Sequence, residues 1–579
     1  MVIFEALISN RHNSSCRRGY LVLNDHCNEY KTEVCLRDED TTDKEINENS
    51  NTYLTIHTPT ISVPTFKGYP LYILPKMRDD KEVCSLFKDL DYLLIGYPLD
   101  CSTLNNNSKV DYLKYEDIFS VKCSRCRQLK SLNLLKRPDS QLCNGGEILY
   151  QMFRQPLYDD ISIWNSVNDL ILRTNNGRVQ INYRNVIASM EKFRPVLYTS
   201  PAEESITEIS GKNTSFRAIS LANDQLIKLL EYHLNLDYKA VCDCSHTPET
   251  HFDNCKYGET CKVESPVNSS SSSVCESIRP NIIANIQGAH FENYRIASSL
   301  GIWDLCKGAG KGLENVQFNK EQGTVELKEV LLSPSKKAML YDKIIAGVTI
   351  GGLGYSESSF VRKKCINSVV KYLPEDKIRF LSLNLGSPIE ILQAFWLGID
   401  IVECPYIYKS SQSGIALVFN VDEFWSTENG IIYNNEDFEN VRKFLLEEDF
   451  TSNNTDNLLF GGARYINLSD RKCEMDFSLV ADDSPLPYSR AYLHHLINSR
   501  EMLAFTSLFL HNYWKYQKLL QSIRRAIEFG LYEQFVTWFI TTQTEKYIHP
   551  TKLPQLPTET YTVDDAKEVI LNHNHKVGC

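Results

Sequence analysis

The segment from Lys343 to Cys404, KIIAGVTIGGLGYSESSFVRKKCINSVVKYLPEDKIRFLSLNLGSPIEILQAFWLGIDIVEC, decides the fold. Ile344 to Ile350 is a short β-branched run closed by Gly351-Gly352, as a buried strand should be. Ser358 to Tyr372 places apolar residues at helical spacing and stops before Pro374. Ile378 to Leu385 reads as a second strand. In Gly386-Ser387-Pro388-Ile389-Glu390, the serine can cap a helix and the proline suits the first helical position, where an N–H has no partner to lose. Glu390 can then accept from the cap's own amide. That helix runs to Leu397 and stops at Gly398, and Ile399 to Val402 is a third strand. Strands and helices alternating through short loops require right-handed crossovers and a parallel sheet.

Working outward, the theme returns more faintly at Val179 to Tyr183, at Val196 to Thr199, and at Ile282 to Ile286, which is followed by Gln287-Gly288 and an amphipathic stretch from Phe291. The expected fold class is α/β, a (β/α)8 TIM-like barrel with insertions and a helical C-terminal subdomain; an open doubly wound sheet is the rival. No Gly-x-Gly-x-x-Gly follows a strand, and neither a Walker phosphate loop nor an HExxH pair is present. The barrel is assigned to residues 1–480, with insertions near 38–51, 237–280 and 422–457, the helical part to 481–530 and a tail to 531–579. Within the helical part we expect a short helix holding Ala491 to Leu496 and a long one from Ser499 to Phe529, opened by Asn498-Ser-Arg-Glu501 as a second capping box. Tyr53 to Ile56 and Leu71 to Leu74 read as strands without a motif.

Composition narrows the function classes. The 579 residues carry 62 Lys+Arg against 73 Asp+Glu, a net charge of −11, which argues against a protein that coats phosphates generally. Apolar residues at 42% and charged residues at 23% are those of a globular chain rather than a disordered one. The N-terminus lacks a secretory pattern and no stretch is apolar for the length of a membrane span, so a cytoplasmic location is expected. The 18 cysteines are scattered along the chain and read mostly as free thiols, Cys123-x-x-Cys126 included.

In parallel barrels chemistry gathers where strands end at their C-terminal edge. That rule singles out Gln287 and Gly288, Gly351, Gly352 and Leu353, Asn384 with Gly386, and Asp400 with Glu403 and Cys404. Taken one at a time, each could merely end a strand and begin a helix.

Their order resembles the queuine/archaeosine tRNA-ribosyltransferase family, also called tRNA-guanine transglycosylases. The resemblance is carried by Ile286-Gln287-Gly288, Ile350-Gly-Gly-Leu353, Leu373-Pro-Glu-Asp-Lys-Ile-Arg379, Gly386-Ser-Pro388 and Gly398-Ile-Asp-Ile-Val-Glu-Cys404. Ser489-Arg-Ala-Tyr-Leu-His-His-Leu496, Glu501-Met-Leu503 and His511-Asn512 add the most specific block. Within the family, Asn176-Gly-Arg-Val179 and Gly414-Ile-Ala-Leu417 resemble the accessory, non-catalytic subunit of a heterodimer.

The resemblance implies exchange of guanine for queuine at the wobble position of tRNAs with GUN anticodons. Family enzymes attack the ribose with one aspartate and move protons with another. Here the attacking position carries Glu403, and the Asp-Ser-Gly-Gly-Phe-Gln string of the second aspartate is absent. One extra methylene displaces a carboxylate by about 1 Å, enough to cost roughly a hundredfold in rate. The resemblance therefore implies a non-catalytic subunit that partners a catalytic one and tRNA, in the cytoplasm or peripheral to the mitochondrial outer surface. A self-sufficient transglycosylase using Glu403 or Asp400, or a barrel serving only as a binding scaffold, are the alternatives. Gln287, Gly288, Gly351, Gly352 and Leu353 match its base-recognition loops.

The family also implies one structural zinc, held by three cysteines and a histidine. His511 stands at the histidine position, but Ala481-Asp-Asp-Ser-Pro-Leu-Pro-Tyr-Ser489 replaces the cysteines and Cys473 is at most one more ligand, so no zinc is expected there. Cys242, Cys244, Cys255 and Cys261, with His246 and His251, form an alternative cluster of metal donors. For RNA, the candidate contacts are two cationic helix faces: Arg362, Lys363 and Lys364 with Lys371, and Arg524 and Arg525 with Lys515 and Lys518 beside Tyr513, Trp514 and Tyr516. Such runs are more commonly plain solvated faces.

Overall fold

The strand-helix alternation of the central segment is resolved in a computed structural model as part of a mixed α/β fold around a closed parallel sheet. The structure describes residues 2–9, 16–24, 53–64, 93–98, 147–152, 164–165, 169–174, 177–182, 197–203, 210–241, 281–319, 324–353, 357–382, 386–426, 435–446 and 463–544. Val2–Ser9 (β1), Arg17–Asn24 (β2) and Tyr53–Thr58 (β3) form an antiparallel sheet. The chain enters the barrel with Thr60–Pro64 (β4), Leu93–Pro98 (β5) and Glu147–Met152 (β6). It leaves for a second antiparallel sheet of Trp164–Asn165 (β7), Asp169–Thr174 (β8) and Gly177–Asn182 (β9). Leu197–Thr199 (β10) and Asn281–Ile286 (β11) return to the barrel, and Val316–Asn319 (β12) with Thr324–Leu327 (β13) makes an outlying hairpin. Ile345–Ile350 (β14), Ile378–Leu381 (β15) and Ile401–Glu403 (β16) complete the barrel, and β16 pairs with β4. Ile415–Leu417 (β17) and Tyr465–Asn467 (β18) pair outside it.

Helices follow five barrel strands among the described residues: Lys212–Val241 (α1), Glu292–Lys307 (α2), Ser359–Val370 (α4), Pro388–Trp396 (α5) and Tyr406–Gln412 (α6), with Lys336–Ile344 (α3) leading into β14. The residue alternation explains how they are held. Ile61, Ile282, Ala284, Ile286, Val348, Ile350, Leu381 and Val402 lie on the same face of the sheet and join one apolar cluster with Ile366 of α4, Leu392 and Phe395 of α5 and Ile407 of α6. Each of these side chains larger than alanine contributes roughly 1.5–3 kcal/mol by leaving water. The start of α5 forms as its sequence dictates: Ser387 donates its N–H and its hydroxyl to the Glu390 carboxylate, at 2.9 and 3.0 Å.

Several expectations change. Val179 lies in β9, outside the barrel, because β-branched spacing predicts extension but not the pairing partner. The second strand of the central segment, β15, ends at Leu381 rather than Leu385. The span 422–457 is not simply an insertion: it holds Asp422–Ser426 (α7) and Asn435–Leu446 (α8), and Val441, Phe444 and Leu445 enter the main core. Past Arg490–Asn498 (α9) and Met502–Glu528 (α10), the region taken as a tail begins with Tyr532–Thr542 (α11), whose Phe535, Trp538 and Phe539 are buried in that same core. The second capping box does not form: Glu501 itself caps α10 without a side-chain bond, after Arg500 in a left-handed conformation. Leu71 to Leu74, the insertions near 38–51 and at 242–280, Cys123 with Cys126, and the Cys242, Cys244, Cys255 and Cys261 cluster lie outside the described residues.

Candidate functional site

The face of the barrel sheet opposite the apolar cluster is more polar toward the C-terminal ends of the strands. Thr60, Ser62, Asn285, Thr349 and Glu403 occur there with Phe380 and Ile401, and the register sets Glu403 beside Ser62 and Asn285 beside Thr349. Glu403 ends β16 and is 2% exposed. Around this interior, the loop after β11 supplies Gln287 and Gly288, the loop after β14 supplies Gly351 to Leu353, and Gly386 follows β15. The base-recognition candidates are thus brought to one rim, with Gly351 N–H donating to the Ile286 carbonyl at 3.1 Å.

Gln287 is wholly buried. Its Nε2 donates to Asn285 Oδ1 at 3.0 Å, which orients the amide and leaves Oε1 without a hydrogen-bond partner among the described residues. A buried acceptor left open is costly, a cost that a donor placed against it would offset. Gly288 and Gly352 take positive φ angles of 147° and 69°. Leu353 turns instead into the apolar cluster. Asn384 lies outside the described residues.

Asp400 does not belong to this rim. It precedes β16, at the opposite end of the barrel, where Oδ2 accepts from the Arg379 amide at 2.9 Å and Oδ1 faces Arg17 Nε at 3.4 Å. Burial pushes the Asp400 carboxyl up and the Arg379 guanidinium down to about 10, against the pull of the opposite charges. The strand between Asp400 and Glu403 carries the chain from one end of the barrel to the other, so Asp400 does not share the rim with Glu403. Cys404, next to Glu403, directs Sγ at the Gly386 carbonyl, 3.3 Å away. Burial pushes its thiol up to about 12, far from a reactive thiolate. Tyr516 of α10 donates to the same carbonyl at 2.8 Å, tying the C-terminal helix to the rim. Glu203, 5% exposed just beyond β10, is a second buried carboxylate near this edge that no flanking motif signalled.

The cationic faces are largely absorbed by the fold. Arg362 is buried between Glu357 and Glu390, at 3.0 Å from each, and so is no phosphate contact. Arg524 is buried with Nη1 on the Pro59 carbonyl at 3.1 Å, and Lys515 is buried with Asp483. Spacing shows a charge but not the carboxylate that another segment brings to it. Lys363 is half-buried; Lys364 is exposed beside Glu292 at 3.6 Å, and Arg525 is exposed over the Trp425 ring at 4.0 Å.

At the zinc position the residues do not fit the metal. His511 Nε2 must donate to the Leu417 carbonyl, 2.7 Å away, and Nδ1 then accepts from the Ser484 hydroxyl at 3.0 Å. Both ring nitrogens are occupied, and one turn on, Lys515 binds Asp483. Burial lowers the His511 pKa to about 4, so the ring is neutral. Asn512 accepts from the Leu417 amide at 2.9 Å and donates to the Ile415 carbonyl at 2.9 Å. The His511-Asn512 pair therefore pins β17 to α10. Cys473 directs Sγ to the Asn467 carbonyl, 3.6 Å away. Among the described residues no helix is long and apolar enough to cross a membrane.

Comparison with known proteins identifies the lineage. The profile described as Queuine tRNA-ribosyltransferase matches residues 306–545. A queuine tRNA-ribosyltransferase-like protein of Plasmodium falciparum is 32% identical over 218 residues, which are 38% of this chain and 86% of that protein. The chain belongs to the queuine tRNA-ribosyltransferase family. A queuine tRNA-ribosyltransferase-like protein of Theileria parva is 31% identical over 191 residues, 33% of this chain and 45% of that protein. The queuine tRNA-ribosyltransferase of Clostridium acetobutylicum is 28% identical over 193 residues, 33% of this chain and 40% of that enzyme. The chain thus spans less than half the length of these two family members. The matched profile includes the rim loops after β14, β15 and β16 and the helices α9 to α11.

Proposed function

We propose that this chain is a TIM-like (β/α)8 member of the family that acts on tRNA as the non-catalytic half of a transglycosylase heterodimer. Its catalytic partner would exchange guanine for queuine at the wobble position. The observation that carries the reading is the chemistry of the rim. The carboxylate at the attacking position is the longer Glu403, enclosed at 2% exposure, and Asp400, close only in sequence, is committed to Arg17 and Arg379 at the far end of the barrel. The string that holds the family's second aspartate is missing from the sequence. Binding groups persist where catalytic groups do not: Gln287 keeps an open acceptor between two glycine-turned loops.

The test is base exchange with labelled guanine on a GUN-anticodon tRNA, run with the chain alone, with a catalytic partner, and with the Glu403→Gln variant in each case. The chain alone is expected to give no exchange and no covalent RNA adduct, and Glu403→Gln to leave exchange by the pair unchanged. A covalent adduct of the lone chain that disappears in Glu403→Gln would establish a self-sufficient enzyme instead.

A further inference from the structure

One guanidinium ties together the two loops that bound the proposed base site, and we propose that Arg295 is the positioning residue of that site. The inference rests on the functional reading above. Arg295 lies in the first turn of α2 and is fully buried. Its Nε donates to the Ala289 carbonyl at 2.6 Å and its Nη2 to the Gly351 carbonyl at 3.2 Å. The first carbonyl belongs to the loop after β11 and the second to the loop after β14. Cys365 of α4 directs Sγ to the same Ala289 oxygen, 3.7 Å away.

Among the described residues no carboxylate pairs with Arg295, and Nη1 has no hydrogen-bond acceptor. A buried cation without a counter-ion is expensive. The two carbonyls are what the fold offers it, and the backbone is bent to present them. Ala289 adopts a φ of 51°, a left-handed conformation disfavoured for any residue with a Cβ. Gly288 lies so close that a Cβ there would stand 2.7 Å from Arg295 Cγ. The turn 287–289 is therefore folded onto the guanidinium. Arg295 need not touch a ligand to act: it fixes the spacing between the open Gln287 acceptor and the Gly351-Gly352 backbone, so that one rigid, flat heterocycle of purine size meets both. Small misplacements of such groups have large effects on binding and rate.

The test uses the full chain as wild type, Arg295→Lys and Arg295→Met. Lysine keeps the charge, but its ammonium donates from one compact point on a flexible stem and lacks the planar fork that holds two carbonyls at a fixed separation. Amide hydrogen exchange is followed in peptides covering 287–291 and 351–353, guanine affinity by titration calorimetry, and affinity for an anticodon stem-loop by fluorescence. Both peptides are expected to gain exchange together in both variants. Guanine affinity should fall by about tenfold or more, with stem-loop affinity held within about twofold, a split that general loosening of the fold would not produce. Exchange that rises in one loop only, or in neither, overturns the clamp. Guanine affinity unchanged while both loops loosen overturns the positioning role. A wild-type chain that binds no guanine overturns the base-site reading, and the exchange data then still decide whether the clamp exists.

Discussion

The two ends of the barrel treat buried charge in opposite ways. At the N-terminal end, Asp400 is enclosed by the Arg379 amide and the Arg17 guanidinium, and Arg17 also donates to the Glu375 carbonyl at 2.8 Å. At the C-terminal end, Gln287 Oε1 and Arg295 Nη1 are buried with no partner among the described residues. Both ends bury charge, and the N-terminal end too leaves Asp400 Oδ1 and Arg379 Nε without a hydrogen-bond partner among the described residues. The difference teaches that a buried charge near a barrel strand reads as a plug where an opposite charge faces it, as Arg17 faces Asp400, and as a candidate for positioning or binding where only backbone carbonyls meet it, as at Arg295.

Three substitutions set the ends against each other. The largest effect is expected from Arg17→Met, which strips a buried carboxylate of its counter-ion and should cost about 3–5 kcal/mol. Urea unfolding would measure it, and guanine binding by the still-folded fraction should be unchanged; a loss of binding without loss of stability would dissolve the distinction between plug and rim. Gly288→Ala forces a methyl against Arg295 and should cost about 1–3 kcal/mol, accompanied by weaker guanine binding. Stability alone falling would place Gly288 on the structural side.

The smallest effect belongs to His511. Its folded pKa, about 4, lies below the ordinary histidine value of 6.5, so between these values the unfolded chain binds the proton and the folded chain does not. Stability is full above about pH 6.5 and declines as pH falls toward about 4. Thermal unfolding of His511→Asn should lack this acid limb, and both proteins should unfold alike with or without a chelator. A chelator-dependent shift in the wild type would restore a metal to this position.

Much of this arrangement was legible because it is local. The Ser387 to Glu390 capping geometry, the succession of β14, β15 and β16 and the rim glycines depend on neighbours within a few residues. What the sequence concealed depends on distant partners. Arg362 reads as part of a cationic face until Glu357 and Glu390 converge on it. Asp400 reads as a companion of Glu403 because they are three positions apart, yet a strand of that length runs from one end of the sheet to the other. Arg295 gave no signal, since what distinguishes it is a pair of carbonyls and neither is a side chain. The helix α11 was hidden by Gly530, which ends α10 in a left-handed turn at φ 71° without ending the core.

The pairing of β16 with β4 has a consequence for biosynthesis. Ser62 and Glu403 become neighbours only when the last barrel strand docks beside the first, and Arg524 reaches the Pro59 carbonyl from still further along. At about 5–20 residues per second of elongation, the opening strand waits many seconds on the ribosome with its edge unmatched. Contacts so remote in the chain slow folding and expose sticky edges meanwhile. The barrel can therefore close only after synthesis has passed β16, and until then the edge of β4 has no partner strand on that side.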